Sequence, residues 1–286
     1  MREKRILQKT LARECVFEGK GLHTGVWGKV VARPAQEDAG LVFVREDNGQ
    51  KIEASAANVS STARSTTLAE NGASISTVEH LLSAFTGMGI DNAEILVSGP
   101  EIPILDGSAE PFAKAFAEAG TLTQDRLRRY VEPSSELEVS DPSSGSWIRI
   151  RPAERPSLEV TIDFNSSVPG VQTFRWDFGD DYLADVAPCR TFVFLKEIEP
   201  LLKAGLIKGG GIGNAIVITP QGYMDNLELH FPDECARHKL LDLLGDLRLS
   251  GGFPLAKIQA YKPGHTINTR AAARLSALSL AKSMTL

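Results

Sequence analysis

Apolar and polar residues alternate along the first part of the chain, in short runs that glycine or proline residues bound. These runs are rich in β-branched and aromatic residues and predict strands at 14–19, 28–33, 40–45 and 93–97. Two further stretches carry apolar residues at helical spacing and end at glycine, which predicts helices at about 77–85 and 111–119. The first part of the chain should therefore combine a sheet with two helices.

The same order of elements returns in the second half. Strands are predicted at 137–139, 147–150, 158–164, 173–178 and 256–261, and helices at about 233–249 and 266–282. The Ser/Pro-rich stretch 141–146 is interpreted as a hairpin loop because alternating strands flank it, and an interdomain linker is the alternative. His80 and His238 each open a His-x-Leu-x4-Gly pattern before a strand, which is compatible with a duplication. Strands in runs followed by helices favour the α+β class, with a boundary near 121–126.

Composition narrows the class of protein. The chain has 286 residues, 42% hydrophobic and 23% charged, which is typical of a globular protein. Its formal net charge of −5 argues against a broad nucleic-acid surface. The three cysteines form no C-x-x-C pair, the charged stretch 1–9 does not resemble a signal peptide, and no apolar run is long enough to span a membrane. We therefore expect a cytoplasmic protein without a transmembrane segment.

A polar wedge lies along the helix predicted at 233–249. At about 100° per residue, His238, Lys239, Asp242 and Asp246 fall on one side, and leucines occupy the opposite face. His238 and Asp242, at positions i and i+4, could share one metal ion. The alternative is an ordinary amphipathic helix whose polar face meets solvent.

A second histidine follows a glutamate at the start of the helix predicted near residue 77. His80 together with His238 and Asp242 would give two nitrogens and one oxygen, which leaves open the fourth position that catalytic zinc requires. Glu79 would then be placed to take a proton from water. The alternative is that Ser76 and Glu79 form a capping box, in which Glu79 only satisfies a backbone N–H.

His265 lies at the turn between the last predicted strand and helix. It could act as an acid or stabilise negative charge, with Asp246 favouring its cationic form, or it could be a loop histidine without a role. The glycine-rich run 208–214 lacks the Gly-Lys-Ser/Thr of a P-loop. His23 is assigned no catalytic role.

Seven ordered segments resemble a known family over nearly the whole chain. They are 19–25 (GKGLHTG), 64–67 (RSTT), 76–84 (STVEHLLSA), 101–109 (EIPILDGSA), 190–192 (RTF), 237–246 (RHKLLDLLGD) and 261–265 (YKPGH). Together they resemble the UDP-3-O-acyl-N-acetylglucosamine deacetylases, the zinc amidases of lipid A biosynthesis. The resemblance implies hydrolysis of the N-acetyl group of a UDP-3-O-(3-hydroxyacyl)-N-acetylglucosamine to the free amine and acetate, the committed step of that pathway.

The resemblance also implies a fold and a set of roles. It implies two similar two-layer domains, 1–124 and 125–286, each a mainly antiparallel sheet with two helices, packed helix layer to helix layer. It implies zinc held by His80, His238 and Asp242, acid/base work by Glu79, and His265 supported by Asp246. Thr191 would help to bind the oxyanion, Lys239 would line the site, and Phe164 and Lys262 would meet the UDP group. We expect a monomer, and no fused dehydratase domain of the kind that some family members carry.

An acyl-chain passage is expected in a βαβ insertion at about 191–217. Apolar residues crowd this segment, and glycines interrupt it and remove side chains that would otherwise fill the space. The expected substrate-binding residues of the insertion are Phe192, Ile198, Ile207, Gly210 and Ile212. The alternative is a packed βαβ core.

Two other functions compete with the deacetylase. The first is another metal-dependent amidohydrolase, which an absence of acyl-chain preference would favour. The second is a non-enzymatic nucleotide-sugar binding protein, which would not need three ligands, a base and a second histidine together.

Overall fold

The computed structural model describes residues 6–283, with side chains described as far as residue 278. Residues 1–5 of the charged N-terminal stretch lie outside the described residues. The strands of the first half are β1 (Leu7–Leu11), β2 (Cys15–Lys20), β3 (Trp27–Pro34), β4 (Leu41–Arg45), β5 (Lys51–Glu53), β6 (Val59–Ser61), β7 (Thr67–Glu70), β8 (Ala73–Ile75), β9 (Ala93–Val97) and β10 (Thr121–Leu127).

The strands of the second half follow in chain order. They are β11 (Tyr130–Val131), β12 (Leu137–Asp141), β13 (Ser146–Pro152), β14 (Ser157–Ile162), β15 (Gln172–Asp177), β16 (Phe192–Phe194), β17 (Ile216–Thr219), β18 (Gly222–Tyr223), β19 (Phe253–Pro254) and β20 (Ala256–Tyr261). The helices are α1 (Glu79–Gly87), α2 (Glu110–Ala119), α3 (Tyr182–Asp185), α4 (Leu195–Lys203), α5 (Glu234–Arg248) and α6 (His265–Ser283). Among residues 6–283, no helix is long and apolar enough to cross a membrane.

Two five-stranded sheets share one topology. The first has the strand order β2-β3-β9-β4-β5 and the second has the order β12-β13-β20-β14-β15. In both sheets the only parallel pair joins the last strand of the sheet in sequence to the third, β9 to β4 and β20 to β14, and the other described pairs are antiparallel. This equivalence confirms the α+β class and supports the duplication that the two histidine patterns indicated.

The main helices of both halves begin and end close to the predicted residues. Helix α1 starts two residues later than predicted, and α2 and α5 start or end within about one residue of their predicted bounds. The stretch 141–146 is a hairpin connection, since Asp141 pairs with Ser146 across β12 and β13. Apolar residues of both sheets and of α1, α2, α5 and α6 form the buried core.

Some of the strand pairings were not predicted from the sequence. Strands β6, β7 and β8 form a small antiparallel sheet directly before α1. Strand β10 pairs with β1, so the stretch 121–126 that we interpreted as a boundary is extended chain tied to the first half. The division at residues 124 and 125 stays a prediction.

The expected βαβ unit is present as secondary structure. Strand β16 pairs in parallel with β17, and α4 connects them. Strand β18 adds an antiparallel edge to this three-stranded sheet. The unit is separate from both five-stranded sheets, which leaves one of its sides free to line a cavity.

Helices α1 and α5 approach each other at Gly245. A Cβ atom added at Gly245 would collide with the backbone carbonyl of Glu79 and would lie 3.1 Å from the backbone N of Ser83. Only glycine permits this distance between the two helices, because the atoms that a side chain would meet belong to backbone and cannot rotate away. The contact brings residues of the first half next to residues of the second.

We predict that Gly245→Ala destabilises the protein and weakens its metal binding. Overpacking costs about 1–3 kcal/mol, which for a chain of this size lowers Tm by about 2–5 °C. The measurement is thermal unfolding with and without added zinc. The control is Gly213→Ala, because no described atom lies within 4 Å of a Cβ built at Gly213. Equal Tm values for the two variants would contradict the argument.

Candidate metal centre and active site

Two imidazoles and one carboxylate meet where α1 and α5 touch. His80 near the start of α1 and His238 with Asp242 on α5 are all buried, and each offers one atom to a group whose members lie within 4.8 Å of one another. Asp242 Oδ1 lies 3.4 Å from Nε2 of both histidines. This oxygen has no hydrogen-bond partner among the described residues, although it is fully buried. A buried carboxylate oxygen between two ring nitrogens is a set of atoms that fits a metal ion.

The ring of His238 is held with one nitrogen facing this group. Its Nδ1 lies 3.0 Å from the carbonyl oxygen of Cys189, so Nδ1 carries the proton and donates it, which leaves the lone pair on Nε2. Burial lowers the pKa of His238 to about 4, so the imidazole is neutral near pH 7. A neutral imidazole with a free lone pair is the form that binds metals.

The Asp242 carboxyl is held in its ionised form. Burial alone would raise its pKa, but His238, which becomes protonated at the acidic pH where carboxyl groups titrate, and the Lys239 ammonium hold the pKa of Asp242 well below its usual range. Lys239 Nζ donates to Asp242 Oδ2 at 2.8 Å. One oxygen of the carboxylate is therefore occupied by lysine, and the other is left for a ligand.

Glu79 is the first residue of α1. Its Oε2 accepts a hydrogen bond of 3.0 Å from the backbone N–H of Thr66. Val78 occupies the N-cap position, and Ser76 donates instead to the carbonyl of Pro100. The capping-box alternative is therefore wrong. Burial raises the pKa of the Glu79 carboxyl, and the neighbouring His265 opposes this.

His265 forms a pair with Asp246. Its Nδ1 lies 3.0 Å from Asp246 Oδ2, and its Nε2 lies 3.9 Å from Glu79 Oε1. Burial favours the neutral ring, but the negative charges of Asp246 and Glu79 outweigh it and raise the pKa of His265 to about 9. The imidazole is a cation near pH 7, and its Nε2–H faces Glu79.

Two residues that the sequence did not indicate, Thr66 and Asn268, hold the Asp246 carboxylate. The Thr66 hydroxyl donates to Asp246 Oδ1 at 2.6 Å, and Asn268 Nδ2 donates to Asp246 Oδ2 at 2.9 Å. Thr66 stands in the RSTT segment that carried part of the resemblance, but no periodicity or spacing linked it to Asp246, 180 residues away. Asn268 follows His265 by one turn of α6, which is a signal that helical spacing could have given.

A cavity of about 690 Å³ opens onto the metal-binding group. Every predicted site residue lines it except Asp246, which lies behind His265. The cavity also receives residues that we did not predict. These are chiefly Leu22, His23, Thr62, Arg64, Glu197 and Thr266. The catalytic and substrate-binding residues predicted from distant segments thus share one space.

The βαβ unit supplies the apolar part of the cavity wall. Phe192 and Phe194 pack edge-on against Phe164 at ring-centroid distances of 5.6 and 5.4 Å. Ile198 and Ile207 also line the wall, and Ile212 at the open end is 71% exposed. Aromatic contacts therefore close the inner part of this wall, and its outer part is open to solvent.

Thr191 and Lys262 both line the cavity, and their backbone groups are fixed by hydrogen bonds. The backbone N–H of Thr191 donates to Gly107 O at 2.8 Å, and its carbonyl accepts from Ile216, so both backbone groups are fixed. Lys262 has a φ of 53° and donates its N–H to Thr161 O. The carbonyl of Lys262 accepts from Ser146, which anchors the turn before His265.

The fold is α+β, and one cavity is lined by a buried His₂Asp group, a glutamate and a histidine that an aspartate holds. Together these features define a class of protein, the hydrolytic enzymes with a metal-binding site. Residues 8–277 match the family model described as UDP-3-O-acyl N-acetylglycosamine deacetylase. The chain belongs to this family, and the resemblance found in its sequence is confirmed.

Proteins that are similar in sequence to this chain support the family assignment. The chain is 41% identical to the UDP-3-O-acyl-N-acetylglucosamine deacetylase of Trichormus variabilis, over 95% of this chain and 99% of the relative. It is 42% identical to the protein of the same name from an Anaeromyxobacter species, over 91% and 86%. It is 41% identical to the bifunctional enzyme LpxC/FabZ of Bacteroides thetaiotaomicron, over 94% of this chain but 64% of that longer relative.

We predict that the purified protein carries about one tightly bound metal ion per chain and that Asp242→Ala loses it. The substitution removes the one ligand atom that lies close to both imidazoles. The measurement is metal content by mass spectrometry after gel filtration. Asp125→Ala, a change at an exposed aspartate, is the control. Full metal content in Asp242→Ala would refute the ligand assignment.

Proposed function

We propose that this chain hydrolyses the N-acetyl group of a UDP-3-O-(3-hydroxyacyl)-N-acetylglucosamine with zinc, releasing acetate and the free amine. The observation that carries the proposal is the unpartnered Asp242 Oδ1 between two histidines, on the wall of a cavity that also holds Glu79 and His265. Family membership gives the substrate class, and the family's place in lipid A biosynthesis gives the pathway. A cytoplasmic, monomeric enzyme belongs to the proposal, and three unpaired buried cysteines in the described chain suit a reducing compartment.

His80, His238 and Asp242 would hold the zinc ion. Two neutral imidazoles and a carboxylate are a ligand set that catalytic zinc uses, with one position left for water or substrate. When bound, zinc supplies a Lewis acid that polarises the amide carbonyl and makes nearby water more acidic. Lys239 keeps Asp242 ionised and oriented through its bond to Oδ2.

Glu79 acts as the general base. Its buried position raises the pKa of its carboxyl, which makes the ionised form a stronger proton acceptor than a carboxylate in water. The Thr66 N–H occupies Oε2, and Oε1 faces the cavity side next to His265. Glu79 therefore takes the proton of the attacking water on Oε1.

His265 stabilises charge and protonates the leaving amine. As a cation held by Asp246, it faces the space where negative charge develops on the amide oxygen. Thr191 lines the same space and would contribute to oxyanion binding. In the hydrolysis, the oxygen of water forms a bond to the acetyl carbon, the C–N bond breaks, and the departing nitrogen receives a proton.

The two ends of the substrate meet different surfaces. Phe192, Ile198, Ile207, Gly210 and Ile212 would line the acyl chain along the βαβ unit. Phe164, whose ring packs against Phe192 at the edge of this wall, and Lys262 would meet the UDP group. Each buried methylene contributes about 0.8 kcal/mol, so the chain supplies binding energy remote from the amide.

The experiment that tests this function is acetate release from the UDP-linked sugar, with and without a chelator. We expect chelation to abolish turnover and zinc to restore it. Replacing the long acyl chain by none should lower kcat/KM by orders of magnitude, because many methylenes lose their contacts. Equal turnover of both substrates would favour another metal-dependent amidohydrolase, and no turnover with zinc present would favour a binding protein.

We predict that Glu79→Gln lowers kcat by about 10²–10⁴-fold while the metal stays bound. Glutamine keeps the shape and can still accept the Thr66 N–H, but it cannot take a proton. Single-turnover acetate release and metal content measure the two effects separately. A Glu79→Gln enzyme with normal turnover would show that another group is the base.

We predict that activity falls as the pH rises through about 9, and that Asp246→Asn moves this fall to lower pH. The pKa of His265 is raised from about 6.5 in a model peptide to about 9, so its cation is present below pH 9 and lost above it. For the same reason its contribution to folding stability is complete below about pH 6.5 and lost as the pH rises through about 9. Asparagine removes the negative charge that holds the proton. The measurement is the pH dependence of kcat, with circular dichroism to check folding, and an unmoved profile would contradict the assignment.

A further inference from the structure

The loop between β6 and β7 contributes Thr62 and Arg64 to the cavity lining, and one of its residues has a strained backbone conformation. Arg64 has a φ of 70°, in the left-handed region that costs a residue with a Cβ about 1–2 kcal/mol. Such strain persists where the surrounding structure holds it. We call residues 62–66 the 62–66 strap.

The C-terminal end of the strap is fixed to both halves of the site. Thr66 is fully buried, and its N–H donates to Glu79 on α1 while its hydroxyl donates to Asp246 on α5. Its carbonyl accepts from the N–H of Val78, directly before α1. One residue therefore sets the separation between the glutamate and the aspartate that holds His265.

The N-terminal end is fixed to the substrate-facing elements. Arg64 NH1 lies 3.0 Å from Glu197 Oε2 on α4, one residue before Ile198 on the apolar wall. The Thr62 hydroxyl lies 2.8 Å from the hydroxyl of Thr266, next to His265. All four residues of these two contacts line the cavity. The strap thus runs from the acyl-chain wall to the catalytic carboxylates within five residues.

We propose that the 62–66 strap couples occupancy of the apolar wall to the alignment of Glu79 and Asp246, with Thr66 as the positioning residue. This inference rests on the proposed function. An acyl chain seated against α4 fixes Glu197, Glu197 fixes Arg64, and the strap then holds Thr66 in register with both carboxylates. Binding energy from the acyl chain, which lies away from the amide, therefore raises kcat as well as lowering KM.

The first test is at Thr66. Thr66→Val keeps the size and the N–H but removes the hydroxyl bond to a buried carboxylate, so we expect kcat to fall about 10-fold or more with unchanged metal content. The basic limb of the pH profile should also move, because Asp246 faces His265, Asn268 and Thr66 and sits near Glu79. Thr66→Ser restores the hydroxyl and should restore kcat. A valine variant with normal kcat, or one that loses only thermal stability, would overturn the positioning role.

The second test is at Arg64 and Glu197. Glu197→Arg places two cations together, and we expect the ratio of kcat/KM for long-chain over chain-free substrate to fall about 2–5-fold, the range for a partly exposed ion pair. The swap Arg64→Glu with Glu197→Arg restores the pair and should restore the ratio. Glu199→Arg is the matched control, because Glu199 lies on the same helix and pairs with Lys203 away from the cavity.

The outcomes separate this inference from the proposed function. An unchanged ratio in Glu197→Arg, or an equal loss on both substrates, would overturn the coupling while chelator-sensitive acetate release by the natural chain still supports the deacetylase. Loss of the function itself would appear as no acetate release by the natural chain with zinc.

Discussion

The approach of α1 to α5 at Gly245 is the contact on which the site depends. His80 and Glu79 come from the first helix, and His238, Asp242 and Asp246 come from the second, so no metal-binding group exists unless the two helices nearly touch. The absence of a Cβ at Gly245 lets the Glu79 carbonyl rest against α5. The same helix carries leucines on its other faces, which pack into the core and leave the polar wedge to face α1.

Collecting three carboxylates in one buried space carries an electrostatic cost that neighbouring groups offset. Glu79, Asp242 and Asp246 are each almost fully buried. Lys239 neutralises Asp242, and the His265 cation lies between the other two. Glu79 accepts a hydrogen bond on Oε2 and Asp246 accepts on both oxygens, whereas Asp242 keeps Oδ1 free of protein hydrogen bonds in the described chain. The same compensation that stabilises the fold leaves one atom available for a metal.

The helices and the polar wedge of α5 could be predicted because helical periodicity is a property of local sequence. The candidate metal ligands could be predicted because histidine nitrogens and an aspartate oxygen are atoms that can bind one metal ion together. The small sheet β6-β7-β8 and the strap that follows β6 could not, because they have short strands and no period. Thr66 shows the limit most clearly: its role arises from α1 and α5 meeting, which only the folded chain brings about. The capping-box alternative for Glu79 is wrong for a related reason: α1 begins too late for Ser76 to be its N-cap, and Glu79 Oε2 accepts from the distant Thr66 N–H.

The acyl-chain wall differs in kind from the catalytic centre. The centre is built on two helices whose residues are mostly buried, α1 and α5. Helix α4, by contrast, carries Pro200 inside it, has little buried surface and contacts β16, β17 and the 62–66 strap. A wall with few core contacts can adjust to a flexible alkyl chain without moving the metal ligands. In the proposed function, rigid placement of the amide and adaptable placement of the acyl chain would therefore fall to separate elements. The strap links the two through non-covalent contacts: Arg64 forms an ion pair with Glu197 on α4, and Thr66 donates hydrogen bonds to Glu79 and Asp246.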